Sequence, residues 1–197
     1  MKVVIIKYNA GNIQSVLFAL ERIGISAVVS DDPVIIREAD KIIFPGVGEA
    51  STAMHYLRER ALDQLIVSLT QPVLGICLGM QLLCGYSEEN QTSCLGVFDT
   101  VRVSRFEPEE ESFKVPQIGW NQLLSLQGPL FQGIREKEYC YFVHGYYAGL
   151  STYTVAQTDY IHLYSAALQK NNFYGLQFHP EKSAAAGEQI LHNFLNL

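Results

Sequence analysis

The stretch Pro72-Val73-Leu74-Gly75-Ile76-Cys77-Leu78-Gly79-Met80-Gln81 decides how the chain is read. An apolar run over residues 73–76 stops at a cysteine with glycine two positions before it and two after. This is the nucleophile-elbow spacing, G-x-C-x-G, with cysteine in the serine position. A buried strand feeds directly into a helix, and the corner residue takes a strained backbone that exposes its side chain. Neighbouring backbone passes close on both sides, where a Cβ would collide, so Gly75 and Gly79 fit. The N–H groups at the helix start face the sulfur and favour a thiolate and a developing oxyanion. Taken alone, such a cysteine is as well read as a small core residue. The rest of the chain must decide.

Upstream of the elbow the pattern alternates. Residues 3–6 form an apolar run of the buried parallel-strand kind. A polar turn with Gly11 follows. Asn12 stands as N-cap, and Ile13, Val16, Leu17, Leu20 and Ile23 recur at helical spacing until Gly24. Residues 27–29 predict a second strand, and Asp31-Asp32-Pro33 the capped start of a short helix. Residues 41–44 predict a third strand, ending at Pro45-Gly46-Val47-Gly48. Met54, Leu57, Ala61, Leu62, Leu65, Ile66 and Leu69 predict one broken helix or two short ones before the elbow strand. Such alternation implies an α/β fold, a mostly parallel central sheet flanked by helices on both faces. Sites in these sheets form beyond the carboxyl ends of the strands. The 7–12 loop, the 45–49 loop and the elbow therefore share one edge.

Downstream, strands dominate, over residues 97–105, 120–124, 139–143, 153–157, 165–168 and 173–178. They are expected as antiparallel additions to the sheet. The acidic stretch 107–112 reads as a solvated loop, and a last helix carries Ile190, Leu191, Phe194 and Leu195 on one face. With no repeat and no linker, residues 1–197 are expected to share one core as a single domain.

Composition narrows the function. Apolar residues make up 48% of the chain, ample for a core, and no run approaches the ~18 apolar residues of a membrane span. A net charge of −6 without a basic cluster argues against nucleic acid and anionic membrane surfaces. The four cysteines (Cys77, Cys84, Cys94, Cys140) include no C-x-x-C pair, so neither a zinc site nor a disulfide framework is expected. Cys84, seven positions past the elbow cysteine, is placed two turns along the same helix. The first residues lack the form of a cleaved leader, and a reducing cytoplasm is the default. No metal and no cofactor is expected.

About a hundred residues after the elbow, Tyr174-Gly175-Leu176-Gln177-Phe178 reads as a strand ending in His179-Pro180-Glu181. Two positions apart in extended chain puts His179 and Glu181 on one side. A carboxylate there can hold the imidazole tautomer and stabilise the imidazolium. Alone, H-P-E is an ordinary turn. Beside an elbow cysteine it completes a nucleophile, base and orienting acid. Acyl transfer also needs oxyanion donors. The N–H of Leu78 is the expected first donor, and the Pro45-Gly46-Val47-Gly48 loop the expected source of the second, at Val47.

These three motifs, in this order, resemble those of class I glutamine amidotransferases, over essentially the whole chain. The resemblance implies a flavodoxin-like fold and hydrolysis of L-glutamine. Cys77, His179 and Glu181 are then the catalytic set, and Gln81 holds the amino-acid end of glutamine. Gly46, Gly48, Gly79 and the backbone at Phe142, Val143 and His144 line its pocket. Within the family, the segments 8–16, 45–49, Pro116-Gln117-Ile118-Gly119-Trp120-Asn121 and 141–146 are similar to those of the glutaminase subunits of imidazole glycerol phosphate synthases, in histidine biosynthesis. That implies a 1:1 heterodimer with a TIM-barrel cyclase subunit, docked through Asn12, Gln117, Gly119, Trp120 and Asn121. Two positions depart from the pattern: Lys7, where many relatives are acidic, and Gly145, where serine is usual. A stand-alone γ-glutamyl hydrolase, the glutaminase of another synthase and a non-catalytic module on this fold are the rival readings.

Overall fold

The structure, a computed structural model, describes residues 1–9, 12–108 and 113–197. Ala10 and Gly11 of the first loop, and residues 109–112 of the acidic stretch, lie outside the described residues. The first half runs β1 (Val3–Ile6), α1 (Ile13–Arg22), β2 (Ala27–Ser30), α2 (Pro33–Arg37), β3 (Lys41–Gly46), α3 (Ala50–Glu59), α4 (Leu62–Val67), β4 (Val73–Cys77) and α5 (Leu78–Leu83). The second half adds β5 (Cys84–Ser87), β6 (Thr92–Ser93), β7 (Phe98–Arg105), β8 (Gln117–Gln122), β9 (Tyr139–His144), β10 (Tyr146–Ala148), β11 (Thr154–Asp159), β12 (Leu163–Lys170), β13 (Phe173–Leu176) and α6 (Ala184–Leu195).

The central sheet has the order β11-β12-β13-β4-β3-β1-β2. The strands from β13 to β2 are parallel, while β12 and β11 join as antiparallel additions. Strand alternation sends Val4, Ile6 and Phe44 to one face, against Met54, Leu57 and Leu65 of α3 and α4. It sends Val3, Ile5, Leu74 and Ile76 to the other, against Leu20 of α1 and Ile190 and Phe194 of α6. Local signals set several boundaries. Asp32 caps α2 by accepting from the Val34 N–H at 2.8 Å. At the end of α1, the Gly24 and Ile25 N–H groups donate back to Glu21 and Leu20 in a Schellman closure. Asn12 occupies the N-cap position of α1, yet its side chain makes no capping bond.

Four expectations need correction. The third strand runs two residues further, through Pro45 and Gly46, which pair with Ile76 and Cys77. Proline is tolerated inside this sheet because β1 pairs only with Lys41–Ile43 and has ended before Pro45 is reached. Cys84 is not on the elbow helix; α5 stops at Leu83 and Cys84 opens β5. The strand expected over 120–124 is β8, which begins three residues earlier, and the last strand stops at Leu176, where the chain turns toward the site. Strands β5, β6 and β10 went unread, being two to four residues long; with β7 they form a second sheet, β10-β7-β5-β6.

Candidate active site

Cys77 ends β4 with φ 54° and ψ −111°, a left-handed corner that an L-residue adopts only under constraint. The constraint is visible next door. A Cβ at Gly79 would overlap the Phe44 carbonyl oxygen, so the first turn of α5 lies directly on β3. That contact seats the elbow beside the β3 carboxyl end, where Gly46 pairs with Cys77.

His179 comes from the turn after β13. The turn is a 3-10 helix over Pro180–Lys182 and not the extended chain expected, but it reaches the same end: His179 Nδ1 and Glu181 Oε1 are 2.8 Å apart, both residues buried. The His179 N–H donates to the Tyr141 carbonyl of β9 at 2.9 Å. Ser183 Oγ accepts from the Tyr141 N–H and donates to the His179 carbonyl. His179 is thereby held between two elements. With Nδ1–H given to Glu181, Nε2 is left for Cys77. Burial opposes a charge on His179, but hydrogen bonds to Cys77 and Glu181, with their charges, outweigh it and raise its pKa to about 10. The Cys77 thiol lies against the Val143 carbonyl of β9, at 3.7 Å.

A cavity of about 280 Å³ opens over Cys77. Val47 and Gly48 form one wall, Leu78 and Gln81 a second, and Val143 and His144 of β9 a third. Gly48 has φ +104°, a conformation that favours glycine. The Val47–Gly48 pair is the one free link in its loop. Gly46 is held by the sheet, and Glu49 caps α3 by accepting from the Ser51 N–H. Gly46 and Gly79 lie behind the cavity wall, and the Phe142 side chain is in the core against Phe178. Gln81 Nε2 donates to the Tyr146 carbonyl and to Gln177 Oε1, each at 2.9 Å.

Several cavity residues were not singled out from the sequence. Glu89, from the short turn after β5, faces the cavity and accepts from the Ala50 N–H at 2.7 Å. Burial raises its pKa above the ordinary carboxyl range. Gln177, just before the H-P-E turn, puts its Nε2 3.8 Å from the Cys77 sulfur. Lys182 completes the wall, beside Gly145 and Tyr146 of the 141–146 segment. No periodicity marks such residues, which come from turns and strand ends.

The segment expected to dock a partner is β8, which pairs with β9 in the register Gln117↔His144 and Trp120↔Tyr141. Ile118 is 63% and Trp120 52% exposed, so Trp120 is not core. Gln117 is buried and faces inward, so its side chain is not on that surface. Asn121 donates to the Asp159 carbonyl, Gly119 is half-buried with φ +136°, and Asn12 is half-buried.

A family model described as glutamine amidotransferase class-I matches residues 4–197. The chain belongs to the class-I glutamine amidotransferases. This amidotransferase is 57% identical, over the full length of both chains, to the imidazole glycerol phosphate synthase subunit HisH of Bacteroides fragilis. It is 46% identical over 201 residues, again covering both chains fully, to the protein of that name from Yersinia pseudotuberculosis. A solved glutamine amidotransferase structure superposes on it with a TM-score of 0.72 at 18% identity, covering 98% of this chain and 97% of the other, a likeness of fold. Among the described residues of the amidotransferase, no helix is long and apolar enough to cross a membrane.

Proposed function

We propose that this amidotransferase is the glutaminase subunit of an imidazole glycerol phosphate synthase. It hydrolyses L-glutamine at Cys77 and passes the ammonia to a separate cyclase subunit, a TIM barrel bound 1:1, in the cytoplasm. The observation that carries the reading is the buried His179–Glu181 pair beside an elbow cysteine in a cavity of small-metabolite size.

The Cys77 thiolate attacks the carboxamide carbon, and the C–S bond forms as the carbonyl electrons move to oxygen. The N–H groups of Leu78 and Val47 are the donors for that oxyanion. On collapse the C–N bond breaks, and His179 gives its Nε2 proton to the departing nitrogen, so ammonia leaves and a glutamyl thioester remains. Acylation removes the thiolate charge that helped hold the imidazolium. His179, now neutral, becomes the base that takes a proton from water. Hydroxide adds to the thioester carbon, the C–S bond breaks, and glutamate and the thiolate–imidazolium pair result. Glu181 keeps Nε2 aimed throughout.

At the other end of the substrate, the Glu89 carboxylate and the Gln81 side-chain oxygen are the acceptors for the α-ammonium, since both Gln81 amide protons are already engaged. Strand β8 lies one ladder position from Tyr141, whose carbonyl holds His179, so a partner seated on Trp120 would sit close to the catalytic base. In the free chain the Val47–Gly48 link is not yet turned to present its N–H, and docking with nucleotide in the cyclase corrects it. The test is a glutaminase assay with and without the cyclase and its nucleotide. The reading expects a large rise in turnover on assembly. Strong activity from the isolated chain, unchanged by the cyclase, would contradict it.

A further inference from the structure

Behind the cavity a buried polar chain leads from β8 to residues that the reaction above uses. It starts at Gln117 on β8, whose Oε1 lies 2.7 Å from the Tyr164 hydroxyl. Tyr164, on β12, is fully buried, and its hydroxyl is also 3.0 Å from His144 Nε2. His144 Nδ1 is 2.7 Å from the Tyr146 carbonyl, which accepts from Gln81 as well. Gln81 then reaches Gln177, against the Cys77 sulfur.

The protons along this chain are coupled. Burial keeps His144 neutral, with a pKa lowered to about 4, so only one of its nitrogens carries a proton. If Nδ1 carries it, the Tyr146 carbonyl is held, and Nε2 accepts from Tyr164. Tyr164 then needs a donor, and Gln117 must turn its amide nitrogen inward. If Gln117 presents its oxygen, Tyr164 donates to it and His144 must donate from Nε2. Its bare Nδ1 then faces the Tyr146 carbonyl, which Gln81 alone holds. Buried polar groups left unpaired in this way are strongly disfavoured. The orientation of one amide on β8 therefore selects the tautomer of a histidine in the cavity wall.

We propose that Tyr164 is a positioning residue that passes the amide orientation of Gln117 to His144, and through it to the Tyr146–Gln81 wall of the glutamine cavity. The inference rests on the glutaminase reading above and adds to it a link between the docking strand and substrate binding. The test is Tyr164→Phe, which keeps the ring and removes the hydroxyl, assayed as the complex with cyclase and nucleotide. The glutamine KM should rise about tenfold, the effect of leaving one buried partner unpaired, with kcat close to that of the parent. Alkylation of Cys77 by iodoacetamide, which reads the thiolate and not the glutamine wall, should keep its rate. Gln117→Met should raise KM in the same direction. The double variant should be no worse than Tyr164→Phe alone, because both act through one hydroxyl. Tyr174→Phe, a buried tyrosine outside the chain, should leave KM unchanged. An unchanged KM in Tyr164→Phe, additive effects in the double variant, or a slowed alkylation would each overturn the proposal. If Tyr164→Phe does not fold, the KM of Gln117→Met decides in the same way. A parent complex that fails to hydrolyse glutamine overturns the functional reading itself, whereas an active parent with a variant of equal KM overturns only the link.

Discussion

His179 keeps its proton because Cys77 and Glu181 stand on either side of it, against a burial that would otherwise strip it. The sign of the consequence is fixed. Its pKa lies above the ordinary 6.5, at about 10, so the stability this site contributes is complete below about 6.5 and lost as pH rises through about 10. Imidazole NMR should follow His179 titrating near 10 in the resting enzyme, and lower in Cys77→Ser, which removes the sulfur beside it. A parent value near 6.5 would mean that Cys77 and Glu181 do not hold the imidazole proton. At this scale the sequence was most informative. Cys77, His179 and Glu181 could be named from spacing, because an elbow and an H-P-E turn each have a sterically determined form. Glu89 could not, because a carboxylate in a two-strand connection has no pattern to betray it. Gln117, which the family resemblance put at the docking surface, is buried on β8.

Among the elements, the β8–β9 ribbon has two duties. Its inner side carries Gln117 and His144 into the molecule, and its outer side leaves Ile118 and Trp120 in solvent. The exposure of Ile118 and Trp120 supports the proposed docking of the cyclase on this ribbon. Trp120→Ala should therefore leave the isolated chain as stable as the parent within about 0.5 kcal/mol, the usual range for a surface change. It should weaken cyclase binding by about 2 kcal/mol or more, the loss expected of an aromatic anchor. Calorimetric titration against the cyclase checks this, and an unchanged dissociation constant would remove Trp120 from the interface. The first-half elements were legible because long apolar runs and helical periodicity agree there. The second sheet was not: β6 has two residues and β10 three, too few for any period to appear, and their place is set by β7 alongside.

Over the whole molecule, the parallel sheet gathers three strand ends at one edge. β3 brings the glycine loop, β4 Cys77 and β13 leads into His179, and the register of β3, β4 and β13 puts them side by side. The antiparallel half walls the cavity with β9 and presents β8 outward. On the proposed reading this chain releases ammonia and the cyclase subunit consumes it. That division of labour is tested most directly by Cys77→Ala in the complex with the cyclase, assayed for imidazole glycerol phosphate formation with glutamine and, separately, with ammonia. Synthesis from glutamine should vanish while synthesis from ammonia stays near the parent rate. Loss of both, or survival of the glutamine-dependent reaction, would contradict the account.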